Sequence, residues 1–130
     1  MSVPYVYDAG ALIAIDSNDR RMWAIHHLAI EEGREIFVPA IVVGQAWRDG
    51  RRQAALGRFL RTCEVEPTGV ETAKAAGVLC GAAGTADIVD ATVVVTALAR
   101  AAIIYTSDSQ DLARLASASG ARPIPVMVRV

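Results

Sequence analysis

The chain has 130 residues, of which 53% are hydrophobic and 21% are charged, and its formal net charge at pH 7 is −1. This composition excludes an intrinsically disordered chain, and the length suffices for one domain, residues 1–130, with its own core. Asp90 and Arg100 interrupt the longest apolar stretch, so we expect no membrane-spanning helix. With no basic leader segment at the N-terminus, and with Cys63 and Cys80 lacking metal or redox spacing, we expect a cytoplasmic protein.

The first half of the chain alternates short apolar runs with helical patterns. Residues 3–7, VPYVY, are typical of a buried strand, and Asp8 follows them directly. We expect Asn18 to cap the second helix and Gly33 to end it. Residues 40–50 are ambiguous by periodicity, but their position after a strand favours a helix that ends at residue 50. The predicted elements are, in order, strand 3–7, helix 9–16, helix 18–33, strand 35–39, helix 40–50 and helix 51–63 with Leu56, Phe59 and Leu60 inward.

The second half repeats the alternation of strands and helices. Its predicted elements are strand 64–67, helix 70–84, helix 87–101, strand 102–107, helix 109–120 and strand 123–128. Strands that alternate with helices are typical of an α/β sandwich with helices on both faces of a mostly parallel sheet. The sequence therefore predicts a three-layer α/β fold.

Four aspartates are expected at one edge of this sheet. Asp8 follows the first strand, and Asp108 follows the strand at 102–107. The helix that begins near Asp87 leads into that same strand and must run antiparallel to it. Asp87 and Asp90 should therefore also lie at the carboxyl edge of the strands, where open α/β sheets bind their ligands.

Carboxylates gathered at one place indicate a cation, because like charges cannot all stay ionised without one. Mg²⁺ prefers carboxylate oxygens, and a bound ion of this kind activates water for attack on a phosphate. Residues 44–62 could position a nucleic-acid backbone, because they are strongly basic. Their arginines are Arg48, Arg51, Arg52, Arg58 and Arg61. This constellation predicts metal-dependent phosphodiester hydrolysis.

Each aspartate also has a purely structural interpretation. Asp8 could be a turn residue at a strand end, and Asp87 could be the N-cap of its helix. Asp90 lies one turn beyond that cap, which favours a functional role. Asp108 could cap the following helix, with Asp111 as an ordinary acid of its first turn.

Other chemically active side chains have simpler interpretations. His26 and His27 are adjacent on a helix, point in different directions and have no histidine or cysteine partner at metal spacing, so we interpret them as surface or packing residues. Trp23 and Trp47 are more typical of a core or an interface than of a base-stacking platform. The arginines between 44 and 62 could be either a solvated helix face or a binding surface for RNA or a protein.

Four segments together resemble the successive motifs of the PIN-domain family, and in particular its VapC-type toxins. They are VYDAGALIAID, VPAIVVGQAWR, DIVDATVVVTALA and YTSDSQDL, and the match covers nearly the whole chain. The resemblance implies a parallel sheet of about five strands flanked by helices and a Mg²⁺ or Mn²⁺ site. It also implies endoribonuclease activity, an antitoxin partner and a homodimer.

The resemblance assigns roles to individual residues. Asp8, Asp90 and Asp108 match the acids that would hold the metal and carry catalysis, while Asp87 and Asp111 match accessory acids. The departure is Gln45, which stands where the family usually has a glutamate. Because its amide keeps one acceptor oxygen but loses the charge, we expect weaker metal binding. The alternative is a PIN-like module that has lost catalysis and binds RNA or a protein partner without cleaving.

Overall fold

Five short strands make up the only sheet within residues 2–130, the part of the chain that this computed structural model describes. The strands are β1 (Tyr5–Tyr7), β2 (Ile36–Pro39), β3 (Glu64–Glu66), β4 (Ile103–Thr106) and β5 (Met127–Arg129). Their order in the sheet is β3-β2-β1-β4-β5, and every neighbouring pair is parallel. The predicted parallel sheet of five strands is confirmed.

Seven α-helices connect these strands in the part of the chain that the structure describes. They are α1 (Ala9–Asp16), α2 (Arg20–Glu31), α3 (Ala40–Ala46), α4 (Ala54–Leu60), α5 (Val70–Ala83), α6 (Ile88–Arg100) and α7 (Ser109–Ala118). Helix α1 packs against α2, α3 and α4, whereas α5, α6 and α7 pack against one another. Because crossovers between parallel strands are right-handed, the reversal of direction after β3 places the second group on the opposite face of the sheet.

The reversal creates a topological switch point between β1 and β4. The register pairs Tyr5 with Ile103, Val6 with Ile104 and Tyr7 with Tyr105. The next residues, Asp8 and Thr106, are therefore neighbours where both strands end, and the Asp8 amide donates to the Tyr105 carbonyl at 3.1 Å. A switch point of this kind is where doubly wound sheets leave a crevice for ligands.

Apolar side chains fill both faces of the sheet. Val6, Val38 and Ile104 in the central strands are fully buried, as expected for a parallel sheet covered on two sides. Helix α1 contributes Leu12, and helix α6 contributes Val93, to the same core. Within residues 2–130 no single helix is long and apolar enough to cross a membrane; only α5 and α6 taken together, across a bend of 112°, have such length and composition.

A buried polar chain connects β1, α2 and the end of α4. The Tyr7 hydroxyl lies 3.1 Å from His26 Nδ1, and His26 Nε2 lies 2.7 Å from the Thr62 hydroxyl oxygen. The Thr62 hydroxyl donates to the Phe59 carbonyl at 2.6 Å, so its oxygen must accept from His26 Nε2–H. Burial lowers the pKa of His26, so the ring is neutral with its proton on Nε2, and Nδ1 accepts from the Tyr7 hydroxyl. This confirms the packing interpretation for His26, while His27 is exposed.

The start of α2 differs from the prediction. Asp19, not Asn18, is the N-cap, and its carboxylate accepts from the Met22 amide at 2.8 Å. Asn18 instead has φ of 59° and forms the reversal between α1 and α2. Asparagine is among the few residues that adopt this left-handed conformation readily. Asn18 therefore forms the tight turn, and the next residue, Asp19, caps the helix.

The connection from α3 to α4 also differs. Helix α3 ends at Ala46 rather than at residue 50, because Trp47 adopts an extended conformation. A 3₁₀ turn at Gly50–Arg52 then precedes α4, which starts at Ala54 rather than at 51. Hydrogen bonds of the Gln53 side chain, including one to the distant Asp16, hold this connection, and helical periodicity does not predict them.

The inward positions predicted for α4 are confirmed, because Leu56 and Phe59 are buried and the partly buried Leu60 packs against the same core. The start of the last strand differs from the prediction. Strand β5 begins at Met127 rather than at 123, because Pro123 and Pro125 lack the amide protons that a strand donates to its neighbour.

Candidate metal centre

Asp8 is fixed at the junction of β1 and α1. It is the N-cap of α1, and its Oδ1 accepts from the Gly10 amide at 2.8 Å. Only 6% of the residue is exposed. Because burial penalises the charged form, the pKa of Asp8 is raised, although the donors Thr106 and Gly10 partly oppose that effect. Asp8 can therefore cap α1 through Oδ1 and still serve as a candidate metal ligand.

Thr106 links two of the aspartates, and the sequence interpretation gave it no role. Its hydroxyl donates to Asp8 Oδ2 and accepts from the Asp108 amide at 2.8 Å. It is fully buried at the end of β4. The sequence offered one sign of this role, a threonine near the end of an apolar strand and two residues before Asp108. Thr106 thus sets the position of Asp8 relative to the β4–α7 turn.

Three carboxylates converge at this edge of the sheet. One ligand oxygen from each of Asp90, Asp108 and Asp111 lies within 4.8 Å of the others. Asp90 is half-buried in the first turn of α6, whereas Asp108 and Asp111 are exposed. Asp111 also forms an ion pair with Arg114 at 2.9 Å. The sequence placed Asp111 in the first turn of a helix, which is where it lies, and the fold additionally brings it beside Asp90 and Asp108.

Three residues of the predicted set lie outside this triplet, namely Asp8 at the adjoining strand end, Asp87 and Gln45. Asp87 is the N-cap of α6, and its Oδ1 accepts from the Asp90 amide at 3.0 Å. Asp87 therefore holds the backbone of Asp90 in place. Gln45 lies in the last turn of α3 with an exposed side chain, beyond the point where β2 ends at the same edge. Its side chain makes no hydrogen bond within residues 2–130.

The electrostatics of the cluster favour a cation. The pKa of Asp90 is raised to about 7, first by burial and then by the carboxylates of Asp87, Asp108 and Asp8. Partial burial and the neighbouring Asp111 also raise the pKa of Asp108. A divalent ion would relieve this repulsion and stabilise every carboxylate in its charged form.

The donor set fits a hard divalent cation. All three groups of the triplet offer carboxylate oxygens, and Asp8 adds a further carboxylate at the adjoining switch point. Mg²⁺ and Mn²⁺ prefer such ligands, and Mg²⁺ is usually held by one or two protein carboxylates with the remaining positions open to water and substrate.

Gly10 allows the close approach of α1 to the β4–α7 turn. A Cβ atom at this position would lie 2.8 Å from the Ser107 backbone nitrogen, which is too close for a real contact. The absence of a side chain at Gly10 therefore permits Asp8 and Asp108 to lie at the same site.

We expect Gly10→Ala to destabilise the protein by about 2 kcal/mol, because backbone at Ser107 must move away from α1. The same displacement separates Asp8 from Asp108, so Mn²⁺ affinity should fall as well. Thermal unfolding and Mn²⁺ titration would measure the two effects. Gly77→Ala in α5 is the matched control: nothing lies within 4 Å of its added Cβ, and helix propensity should make it stabilising by about 0.5–1 kcal/mol. Equal melting temperatures and equal Mn²⁺ affinities of the two variants would contradict the expectation.

Two solved structures share this architecture. A chain in the crystal structure of VapBC2 from Rickettsia felis bound to a DNA fragment from their promoter matches with a TM-score of 0.71 and 16% identity, covering 98% of this chain and 99% of that one. A chain in the structure of DNA-bound VapBC from Salmonella typhimurium matches with a TM-score of 0.71 and 15% identity, covering 98% of each. This chain has a PIN-like fold. No protein-family model matches the sequence, and no curated protein matches it.

Proposed function

We propose that this PIN-like chain is a metal-dependent endoribonuclease and the toxin of a toxin–antitoxin pair. The observation that carries the proposal is the convergence of Asp90, Asp108 and Asp111 within 4.8 Å, beside Asp8 at the switch point of the sheet. The fold shared with the two VapBC structures supports the same proposal.

In this proposal each residue of the site has a distinct task. Asp90 and Asp108 hold Mg²⁺ or Mn²⁺ together with Asp8, and Asp111 completes the negative site. When bound, the ion would supply an activated water and offset the charge that develops on the phosphate. Asp87 fixes the Asp90 backbone through its cap. The Thr106 hydroxyl keeps Asp8 Oδ2 in a defined direction, so the acids are arranged before an ion arrives.

The proposed partners follow from the fold and the charge. The matched structures are of VapBC complexes bound to DNA, and we propose a cognate antitoxin for this chain as well as a homodimer. RNA is the proposed substrate because the acids would hold a cation that promotes attack on a phosphate, and the five arginines of residues 44–62 could position a nucleic-acid backbone. A neighbouring gene for a small DNA-binding protein would support the antitoxin.

Calorimetric titration of Mn²⁺ and Mg²⁺ tests the metal site without requiring the correct RNA. The wild type should bind, and Asp8→Asn should weaken binding at least tenfold, since one carboxylate is replaced by a neutral amide. Asparagine is also a good N-cap, so α1 should stay folded.

Asp19→Asn at the α2 cap is the control for the same chemical change away from the site and should bind like the wild type. No binding at millimolar metal would contradict the nuclease. That outcome would favour the catalytically weakened module, for which the exposed Gln45 in place of glutamate is the relevant feature.

A further inference from the structure

The connection between α3 and α4 is a rigid turn rather than a loose loop. We call residues 47–53 the arginine turn. Gln53, which is 6% exposed, donates from Nε2 to the Ala46 carbonyl at 2.9 Å and to Asp16 Oδ2 at 3.1 Å. Its Oε1 accepts from the amides of Arg48 at 2.8 Å and Asp49 at 3.0 Å. One buried side chain thus fixes both ends of the turn and ties it to the end of α1.

The arginine turn presents two guanidinium groups to solvent. The side chains of Arg51 and Arg52 are 92% and 89% exposed. Both face Asp49, at 3.4 and 4.0 Å, and both do so through Nε. Ion pairs this exposed contribute little, and one carboxylate cannot neutralise two arginines. Their terminal nitrogens make no hydrogen bond within residues 2–130. Arg48 differs, because its guanidinium donates to the Gly44 and Trp47 carbonyls and closes α3.

An aromatic ring lies beside these charges. Added Cβ atoms at Gly50 and Gly57 would lie 3.0 and 3.7 Å from the Trp47 indole, so the ring rests against backbone at both positions. Trp47 nevertheless remains 38% exposed. An anchored, partly exposed indole next to arginines is the combination that binds single-stranded nucleic acid, since bases stack on aromatic rings while cations contact the phosphates.

The turn is held at a fixed distance from the metal-site acids. Helix α1 begins after Asp8 and ends at Asp16, the residue that Gln53 contacts. Eight residues of helix span about 12 Å. A single strand whose scissile phosphate lay at the acids could therefore extend its backbone along α1 to the arginine turn.

We propose that residues 47–52 bind the backbone of single-stranded RNA, with Arg51 and Arg52 at phosphates and Trp47 against a base. The choice of RNA rests on the proposed nuclease function, because the acids require a phosphodiester substrate. An acidic protein segment would use the two arginines but would not need the exposed indole.

Salt-dependent binding of a labelled oligouridine of about 12 nucleotides tests this site. The measurement is made without metal and in the Asp90→Asn background, so that binding is separated from cleavage. Single strands lose affinity with a log–log slope of about −0.7 for each phosphate contact. Arg51→Gln/Arg52→Gln should therefore reduce the slope by about 1.4 between roughly 50 and 200 mM salt. Trp47→Leu should weaken binding about tenfold without changing the slope, because no charge is lost.

The control is Arg20→Gln/Lys74→Gln, which removes two exposed cations from α2 and α5 and should leave the slope unchanged. A reduced slope in both double variants would indicate attraction by net charge alone and would overturn the proposal. An unchanged slope in the Arg51/Arg52 variant would overturn it too, even if the wild type cleaves RNA with metal. A reduced slope confined to that variant would support the site, even if no cleavage occurs and the nuclease proposal fails.

Discussion

Asp90→Asn should lower metal-dependent RNA cleavage by roughly 10³-fold, because a metal contributes several kcal/mol of charge stabilisation and each 1.36 kcal/mol is a factor of ten in rate. Asp90 is the half-buried member of the triplet, and the carboxylates around it raise its pKa to about 7. An amide at this position keeps the size of the side chain but removes the charge that holds the ion. Cleavage of bulk cellular RNA with Mn²⁺ or Mg²⁺, followed by gel electrophoresis, measures the loss.

The structure of the variant should be retained. The Asp90 amide that Asp87 caps is part of the backbone and is unaffected by the substitution. Removing one of several repelling carboxylates should raise the melting temperature of the metal-free protein. Asp19→Asn, the same change at the α2 cap, should cleave like the wild type. Wild-type rates in Asp90→Asn would mean that the triplet takes no part in cleavage.

The second large effect concerns acid stability and the neutral His26. Burial lowers the pKa of His26 from 6.5 to about 4, and only 2% of the residue is exposed. The unfolded chain binds a proton near pH 6.5, whereas the folded protein does so only near pH 4. The contribution of the neutral His26 to the free energy of unfolding is therefore fully present above pH 6.5 and is lost as the pH drops towards 4. At about 1.4 kcal/mol for each pKa unit, the loss should reach about 3 kcal/mol.

The hydrogen bonds give this loss a structural reason. Nδ1 accepts from Tyr7, so a proton added there leaves two donors facing each other until the hydroxyl rotates. Asp90 changes stability in the opposite direction over the same range, because its raised pKa favours the protonated folded state. Urea unfolding of the wild type and His26→Gln at several pH values separates the two, since Asp90 is common to both. A wild type that loses no more stability than His26→Gln between pH 6.5 and pH 4 would contradict the expectation.

The sequence was sufficient for the elements that local pattern determines. Apolar runs predicted the central strands β1, β2 and β4, and the position of Asp8 after β1 and of Asp108 after β4 placed both acids at one sheet edge. The cap that Asp87 forms was also readable, because an N-cap needs only a side chain and the amide a few residues ahead. The end of α3 and the start of β5 could not be predicted. Patterns of apolar residues do not show where a long-range contact ends a helix or where a missing amide proton delays a strand.

The geometry of the candidate site depended on contacts across the chain. Thr106 meets Asp8 across a separation of 98 residues, and only the pairing of β1 with β4 brings them together. Gln53 fixes the arginine turn through Asp16, a contact 37 residues away. The sequence by itself determined which residues carry the charge and in which order strands and helices follow one another. The tertiary structure decided which carboxylates share one site and which arginines stay free, because strand register and side-chain hydrogen bonds fix distances that spacing along the chain leaves open.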